Sequence, residues 1–276
     1  MRGSAYLHEI NNDLQQMIHR KIFLLILTLV SLAAHAQDWN KKQCAVVLTY
    51  DDALNVHLDH AVPALDSLNL KGTFYLTASS PAFTRRMLEW KKVSRKHELG
   101  NHTLFHPCAG NRPGRSFVTP EYDLATYTVR RMIDELRMTN SVLEAIDGKK
   151  QRTFAYPCGD TRIGDTAYLN NMKSEFVSAR GVQTEMLQKQ NIKDLYNIGC
   201  YVVNGQTGEE LVAIVQKAME TNSMVVFLFH GVGGEHGLNV SLEAHSRLLR
   251  FMKDNKKKIW NPTFLEASLY IKKTAK

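Results

Sequence analysis

Val46-Val47-Leu48-Thr49-Tyr50-Asp51-Asp52 is an apolar, β-branched run that ends in two adjacent carboxylates. Such a run reads as a strand buried on both faces, as parallel strands of α/β proteins are. Folding alone gives no reason for the two acids: like charges side by side repel, and burying either is costly without a partner. Successive strand side chains point to opposite sides, so Asp51 and Asp52 are expected to have different neighbours and different tasks. A solvated loop start would account for an isolated Asp-Asp pair, but other polar stretches of the chain argue against it.

Upstream of this strand, Arg20 and Lys21 precede an apolar stretch from Ile22 to Leu32, and Ala34-His35-Ala36 has the pattern of a signal-peptide cleavage site. The stretch is short for a bilayer span, which needs about 20 residues. Residues 1–36 are therefore read as a leader and signal peptide, and 37–276 as the folded domain. The expected location is periplasmic or extracellular, with no stable membrane insertion after cleavage. Of the 276 residues, 44% are hydrophobic and 22% charged, enough for one large domain with a full core. The net charge of +8 is dispersed, and no aromatic–basic interleaving argues for a nucleic-acid partner.

Downstream, strand and helix patterns alternate. Leu58, Ala61, Val62, Leu65 and Leu68 recur at helical spacing, and Thr73 to Thr77 reads as a second strand. A helix is expected over Pro81 to Lys96 with Met87, Leu88 and Trp90 inward, then a strand at Glu98-Leu99. Thr119-Pro120-Glu121 has the form of a helix start, with the helix running to about Asp147. Strands follow at Thr153 to Tyr156, Phe176 to Ala179, Asn197 to Val203 and Met224 to Phe229. Helices are expected over Glu209 to Thr221 and after Ser241. Ile259-Trp260 is a short strand, and Thr263-x-x-Glu266 is a capping box for a last helix. Unbroken β-α alternation predicts a single parallel α/β domain, a barrel in preference to an open sheet.

The polar stretches sit where these strands end. Asp51-Asp52 end the first, Asn101-His102-Thr103-Leu104-Phe105-His106-Pro107 follows the third, Tyr156-Pro157-Cys158-Gly159-Asp160 the fourth, and His230-Gly231 the run Met224 to Phe229. Strand C-termini of a parallel sheet share one face, where active sites are built. If a helical turn follows the third strand, His102 and His106 share its face. With Asp52 they form a two-histidine, one-carboxylate set suited to a catalytic divalent metal with an open water position. Taken alone, His230 could equally be a histidine bonded to a loop carbonyl.

Thr49-Tyr50-Asp51-Asp52, Gly100-Asn101-His102-Thr103-x-x-His106-Pro107, Phe154-Ala155-Tyr156-Pro157-x-Gly159 and Phe227-Leu228-Phe229-His230 occur in the order found in the polysaccharide deacetylases, carbohydrate esterase family 4. The resemblance runs from about Cys44 to Tyr270. It implies a distorted (β/α) barrel of seven or eight mostly parallel strands and metal-dependent removal of N- or O-acetyl groups from a poly- or oligosaccharide. It also implies roles: Asp51 as general base, His230 as general acid, Asp52, His102 and His106 as ligands of one divalent metal, and the Cys158 backbone N–H as an oxyanion donor. Zinc is the first expectation for the metal, with cobalt, nickel or manganese as alternatives. The partner would be an acetylated glycan.

The chain also departs from the pattern. Ala155 stands where the family often carries an Arg that tethers the base, Cys158 replaces an aromatic, Ala53 replaces the usual Gly, and no clear match exists to the motif whose Asp orients the acidic histidine. Arg180 is a candidate replacement for the tether. A glycan-binding module with weakened catalysis is the competing reading. Gly231 to Gly237 reads as a flexible loop over the site or a plain surface turn. Cys108 and Cys158 could form a disulfide, add a soft metal ligand or remain inert thiols; the last is slightly favoured, since nothing in the sequence demands a bridge.

Overall fold

The computed structural model describes Gln15 and residues 17–21 and 39–274; the signal-peptide reading of 22–36 lies outside the described residues. Twelve strands are present among these: β1 (Cys44–Asp51), β2 (Thr73–Leu76), β3 (Glu98–Asn101), β4 (Thr153–Ala155), β5 (Arg162–Ile163), β6 (Thr166–Ala167), β7 (Ser178–Arg180), β8 (Tyr201–Val202), β9 (Met224–Phe229), β10 (Gly231–Val232), β11 (Asn239–Val240) and β12 (Ile259–Trp260). The main sheet runs β7-β4-β3-β2-β1-β9-β8, with β12 beside the start of β1, and its pairings are parallel. The segment entering β8 also lies along β7: Ile198 N–H donates to the Ala179 carbonyl (3.0 Å) and Gly181 N–H to the Ile198 carbonyl (2.8 Å). One irregular segment thus links the two ends of the curled sheet, which is the distortion of this (β/α) barrel.

All eight residues of β1 are buried, and their alternation sorts the core into layers. Cys44, Val46, Leu48 and Tyr50 pack with Leu65, Leu211, Val215 and Leu248 from the surrounding helices. Ala45 and Val47 face the other way and pack with Tyr75, Val226, Leu228 and with Phe264, Ala267 and Ile271 of the C-terminal helix. Thr49 and Asp51 continue that second face by period two. The fold thereby carries Asp51 to the inner side of the strand ends.

The helices follow the sequence patterns with three differences. The expected helix from Pro81 to Lys96 is two short ones, Pro81–Thr84 and Met87–Val93. Only Trp90 of the named trio turns inward; Met87 and Leu88 are 39% and 78% exposed. The long helix is Val129–Asp147, capped by the Thr128 hydroxyl accepting from Arg131 N–H (3.1 Å), while Pro120–Tyr122 and Leu124–Thr126 are 3₁₀ turns before it. Helix Gly208–Glu220 starts on a Thr207/Glu210 capping box, and the expected Thr263/Glu266 box is formed by bonds of 3.0 and 3.2 Å. Among the described residues no helix is long and apolar enough to cross a membrane.

Tyr50 shows how tightly the outer layer is built. Its ring stacks between Phe74 and Phe229 at 4.9 and 5.2 Å, and its hydroxyl bonds His245 Nε2 at 2.8 Å. Burial pushes His245 down to about 4. An imidazole titrating near 6.5 when unfolded and near 4 when folded stabilises the protein fully above pH 6.5 and progressively less as pH falls to 4. At 1.36 kcal/mol per unit this is a loss of about 3 kcal/mol. His245→Gln, titrated with urea at pH 7 and pH 5, is expected to remove the His245 share of the fall in stability, the shares of the other lowered imidazoles, His57, His97, His106 and His230, remaining. An unchanged pH slope would contradict the assignment.

Candidate metal centre and active site

Strand alternation delivers Asp51, but a backbone turn delivers Asp52. Asp52 and Ala53 both lie in the left-handed region, φ 80° and 57°, so the expected alternation gives way to a kink that keeps Asp52 on the same face as Asp51, with His102 Nε2 3.3 Å from Asp52 Oδ1 and 3.7 Å from Asp51 Oδ2. A glycine would adopt this turn without strain. Here Ala53 is fully buried and its carbonyl accepts from Ser80 Oγ (2.8 Å), contacts that hold the turn in place.

The two histidines meet for a different reason than the helical turn expected from their spacing. Residues 102–106 form no helix; Thr103 and His106 have φ of 64° and 56°. Asn101 Oδ1 accepts from Thr103 N–H (2.8 Å), and Thr103 Oγ1 accepts from His106 N–H (2.8 Å). These side-chain-to-backbone bonds make the turn, which explains why Asn and Thr stand between and before the histidines. The result is two imidazoles 4.8 Å apart.

Asp52 Oδ1 lies 3.3 Å from Nε2 of both His102 and His106. It is buried and has no hydrogen-bond partner among the described residues. His102 Nδ1 donates to the Ala155 carbonyl (2.8 Å), which leaves the Nε2 lone pair directed at the carboxylate. Ligand atoms of a tetrahedral centre at about 2.0–2.2 Å from the ion stand roughly 3.3–3.6 Å apart, so the three side chains fit a divalent cation. Burial opposes charge on Asp52, but the His106, His102 and His230 imidazoles outweigh it and hold the carboxyl well below the usual range. Burial likewise lowers His106; at His102 the opposing pull of Asp51 and Asp52 prevails over burial and raises it.

Asp51 is paired elsewhere. Arg180 is fully buried, and its Nη2 donates to Asp51 Oδ2. Residues 155 and 180 are register partners on β4 and β7, and partners across a parallel ladder present their side chains to the same side. Arg180 therefore reaches the base from the strand next to the one on which the family pattern places it. Asp51 Oδ1 has no partner among the described residues and borders the cleft.

On the other side of Asp52 lie His230 and His236, with Nε2 atoms 3.9 and 3.8 Å from Oδ2. Their rings stack 4.5 Å apart at 12°. Burial pushes His230 down to about 4, and its Nδ1 is buried without a partner among the described residues, consistent with the missing orienting Asp. The sequence places His236, with Glu235, in a loop over the site but gives it no role there. Its loop is neither a free flap nor a plain surface turn: Glu235 accepts from Asn55 Nδ2 and Val56 N–H, both at 2.7 Å, and β10 pairs with β11. The consecutive Gly233-Gly234 before an acid and a histidine were the available signal.

Cys108 and Cys158 form a disulfide with Cα atoms 5.9 Å apart, which corrects the preference for inert thiols; Cys44 and Cys200 are free and buried. The bridge joins the loop of the metal histidines to the loop after β4, where Cys158 has φ 54°. A second tie is Asp160, which pairs with Arg115 and with Arg112 (3.0 Å) and accepts from Ala109 N–H (2.8 Å). Arg115 and the exposed Phe117 form one wall of a cleft of about 790 Å³ into which Asp51, Asp52, His102, His106, His230 and His236 open.

The sequence profile of the polysaccharide deacetylases matches residues 38–177, just over half the chain. The chain belongs to this family. Among solved structures, the fold is similar to a Mycobacterium smegmatis protein assigned to the polysaccharide deacetylases (TM-score 0.58, 14% identity, 85% of this chain and 92% of that one). It is also similar to the peptidoglycan deacetylase PdaC of Bacillus subtilis (TM-score 0.52, 15% identity, 86% and 95%). At such identities the likeness shows shared fold. The uncharacterized protein YlxY of Bacillus subtilis is 29% identical over 110 residues, 39% of this chain and 29% of that protein's length.

Two outcomes are expected from this geometry. Arg180→Met leaves a buried carboxylate unpaired and should lower stability by about 3–5 kcal/mol; a loss below about 1 kcal/mol on urea unfolding would mean the pair is not buried as described. Thiol titration of denatured, unreduced residues 39–274 should find two free thiols, from Cys44 and Cys200, whereas four would contradict the bridge.

Proposed function

We propose that this protein is a metal-dependent carbohydrate deacetylase in which Asp52, His102 and His106 hold the cation, Asp51 is the base and His230 the acid. The observation that carries the reading is the convergence of an Asp52 oxygen, unpartnered among the described residues, with two imidazole nitrogens at 3.3 Å, beside a carboxylate paired with a buried arginine. A divalent cation in that position polarises an acetyl carbonyl and makes water a better nucleophile at neutral pH.

The chain's own groups do the rest. Arg180 fixes one oxygen of Asp51, leaving Oδ1 to take the proton of the attacking water. The Cys158 N–H, on the strained turn after β4, is the proposed donor to the developing oxyanion. His230 delivers to the leaving nitrogen or oxygen the proton that Asp51 has taken from water; burial lowers the basicity of its imidazole, so it gives that proton up readily. The apolar wall of Val182, Val202 and Leu228 limits water at the reacting atoms.

Zinc is the proposed ion, because two imidazoles and one carboxylate with an open position form a catalytic zinc set. The substrate class is an N- or O-acetylated glycan, and both leaving groups suit the same centre. Export, proposed from residues 1–36, is supported by the Cys108–Cys158 bridge, since disulfides persist in oxidising compartments. The glycan-binding alternative draws on one observation, the unpartnered Nδ1 of His230.

Acetate release from acetylated xylan, chitooligosaccharides and peptidoglycan, with chelation and zinc add-back, separates the two readings: zinc binding without turnover on any of them favours binding alone. Within the enzyme, Asp51→Asn should keep zinc and lose turnover by about 10²–10⁴, while Asp52→Asn should lose zinc first. Equal zinc loss in both variants would overturn the division of roles.

A further inference from the structure

Asp52 has two oxygens, and each faces a pair of imidazoles. Oδ1 faces His102 and His106; Oδ2 faces His230 and His236. The ligand atoms of Asp52, His230 and His236 all lie within 4.8 Å of one another, as do those of the first set. We propose that the centre has a second, weaker divalent-cation position, formed by Asp52 Oδ2, His230 Nε2 and His236 Nε2, whose filling by excess cation inhibits the enzyme. The proposal rests on the reading of the first position as a metal site.

Three features support a ligand set here rather than a chance approach of rings. The two imidazoles stack at 12° with both Nε2 atoms directed at the same oxygen. The loop bearing His236 is anchored one residue away by the two Glu235 bonds, which fix the ring without filling the space before it. The Leu238 N–H donates to His236 Nδ1 (3.0 Å), which orients the ring; a cation at Nε2 must displace the proton of that nitrogen, a further reason for weak binding.

The same geometry makes this position the weaker one. Its nitrogen–oxygen separations of 3.8 and 3.9 Å exceed the 3.3 Å of the first set, so the ligands must close in to meet an ion. The one carboxylate is already shared, and two dications flanking it repel each other. Arg180, paired with Asp51, adds a further positive charge nearby. Inhibition follows from ligand identity: a His230 whose Nε2 binds a cation cannot deliver a proton from that nitrogen.

Isothermal titration of the chelated protein with zinc, checked by metal analysis after dialysis, tests this. The wild type should show one tight event and a second at least roughly tenfold weaker, and acetate release should fall over the concentration range of the second. His236→Ala, a change at a partly exposed loop side chain, should keep the tight event, lose the weak one and lose the inhibition by excess zinc. His106→Ala should abolish the tight event. One event in both wild type and His236→Ala, or a second event and inhibition unchanged by His236→Ala, overturns the second position while leaving the first intact. No event at all contradicts the metal centre itself.

Discussion

Two carboxylates one residue apart at the end of a fully buried strand cannot both be left to themselves, and much of the site follows from how each is neutralised. Asp51 is held by the buried guanidinium of Arg180, Asp52 by a ring of imidazoles. The separation of their partners depends on the left-handed kink at Asp52 and Ala53, which keeps Asp52 on the site face beside Asp51. Without it, strand alternation would turn Asp52 towards the helix layer and away from His102 and His106.

The surrounding loops keep that separation rigid. The turn at 101–106 is made by Asn101 and Thr103 bonding the backbone, and its far end is tied by Cys108–Cys158 to the strand-end loop of β4. Asp160 then gathers Arg112, Arg115 and the Ala109 N–H on that same side. Several left-handed residues and a buried ion pair are locally unfavourable, and clustering of such features is characteristic of functional sites. The favourable balance comes from the layers on either side of β1, where Tyr50 alone engages Phe74, Phe229 and His245.

The positions of the main strands along the chain and the meeting of Asp51, Asp52, His102, His106 and His230 at their C-terminal ends were legible in the sequence, and Arg180 was one candidate for the missing tether. They depend on periodicity and on the rule that parallel strand ends coincide. The reason Arg180 succeeds needed the ladder register that sets it beside Ala155. What was not legible depended on backbone angles or long-range pairing. The H-x-x-x-H spacing suggested a helical turn, but Asn101 and Thr103 offer the backbone a competing set of bonds. Met87 and Leu88 fit an inward helical face only if the helix is unbroken, and it breaks near Arg85. His236 lies in a glycine-rich loop whose path is set by Glu235 reaching Asn55 and Val56, some 180 residues away in the chain. The disulfide required a Cα separation that spacing does not give.

The central claim is that Asp52, His102 and His106 bind one ion while Asp51 remains a base held by Arg180. Anomalous diffraction at the zinc edge from crystals equilibrated with one equivalent of zinc tests it most directly. The account predicts a single peak with two imidazole nitrogens at about 2.0–2.1 Å and one Asp52 oxygen at about 2.0–2.2 Å, and with Asp51 still paired to Arg180. A peak ligated by Asp51 in place of Asp52, or none near these side chains, would contradict it.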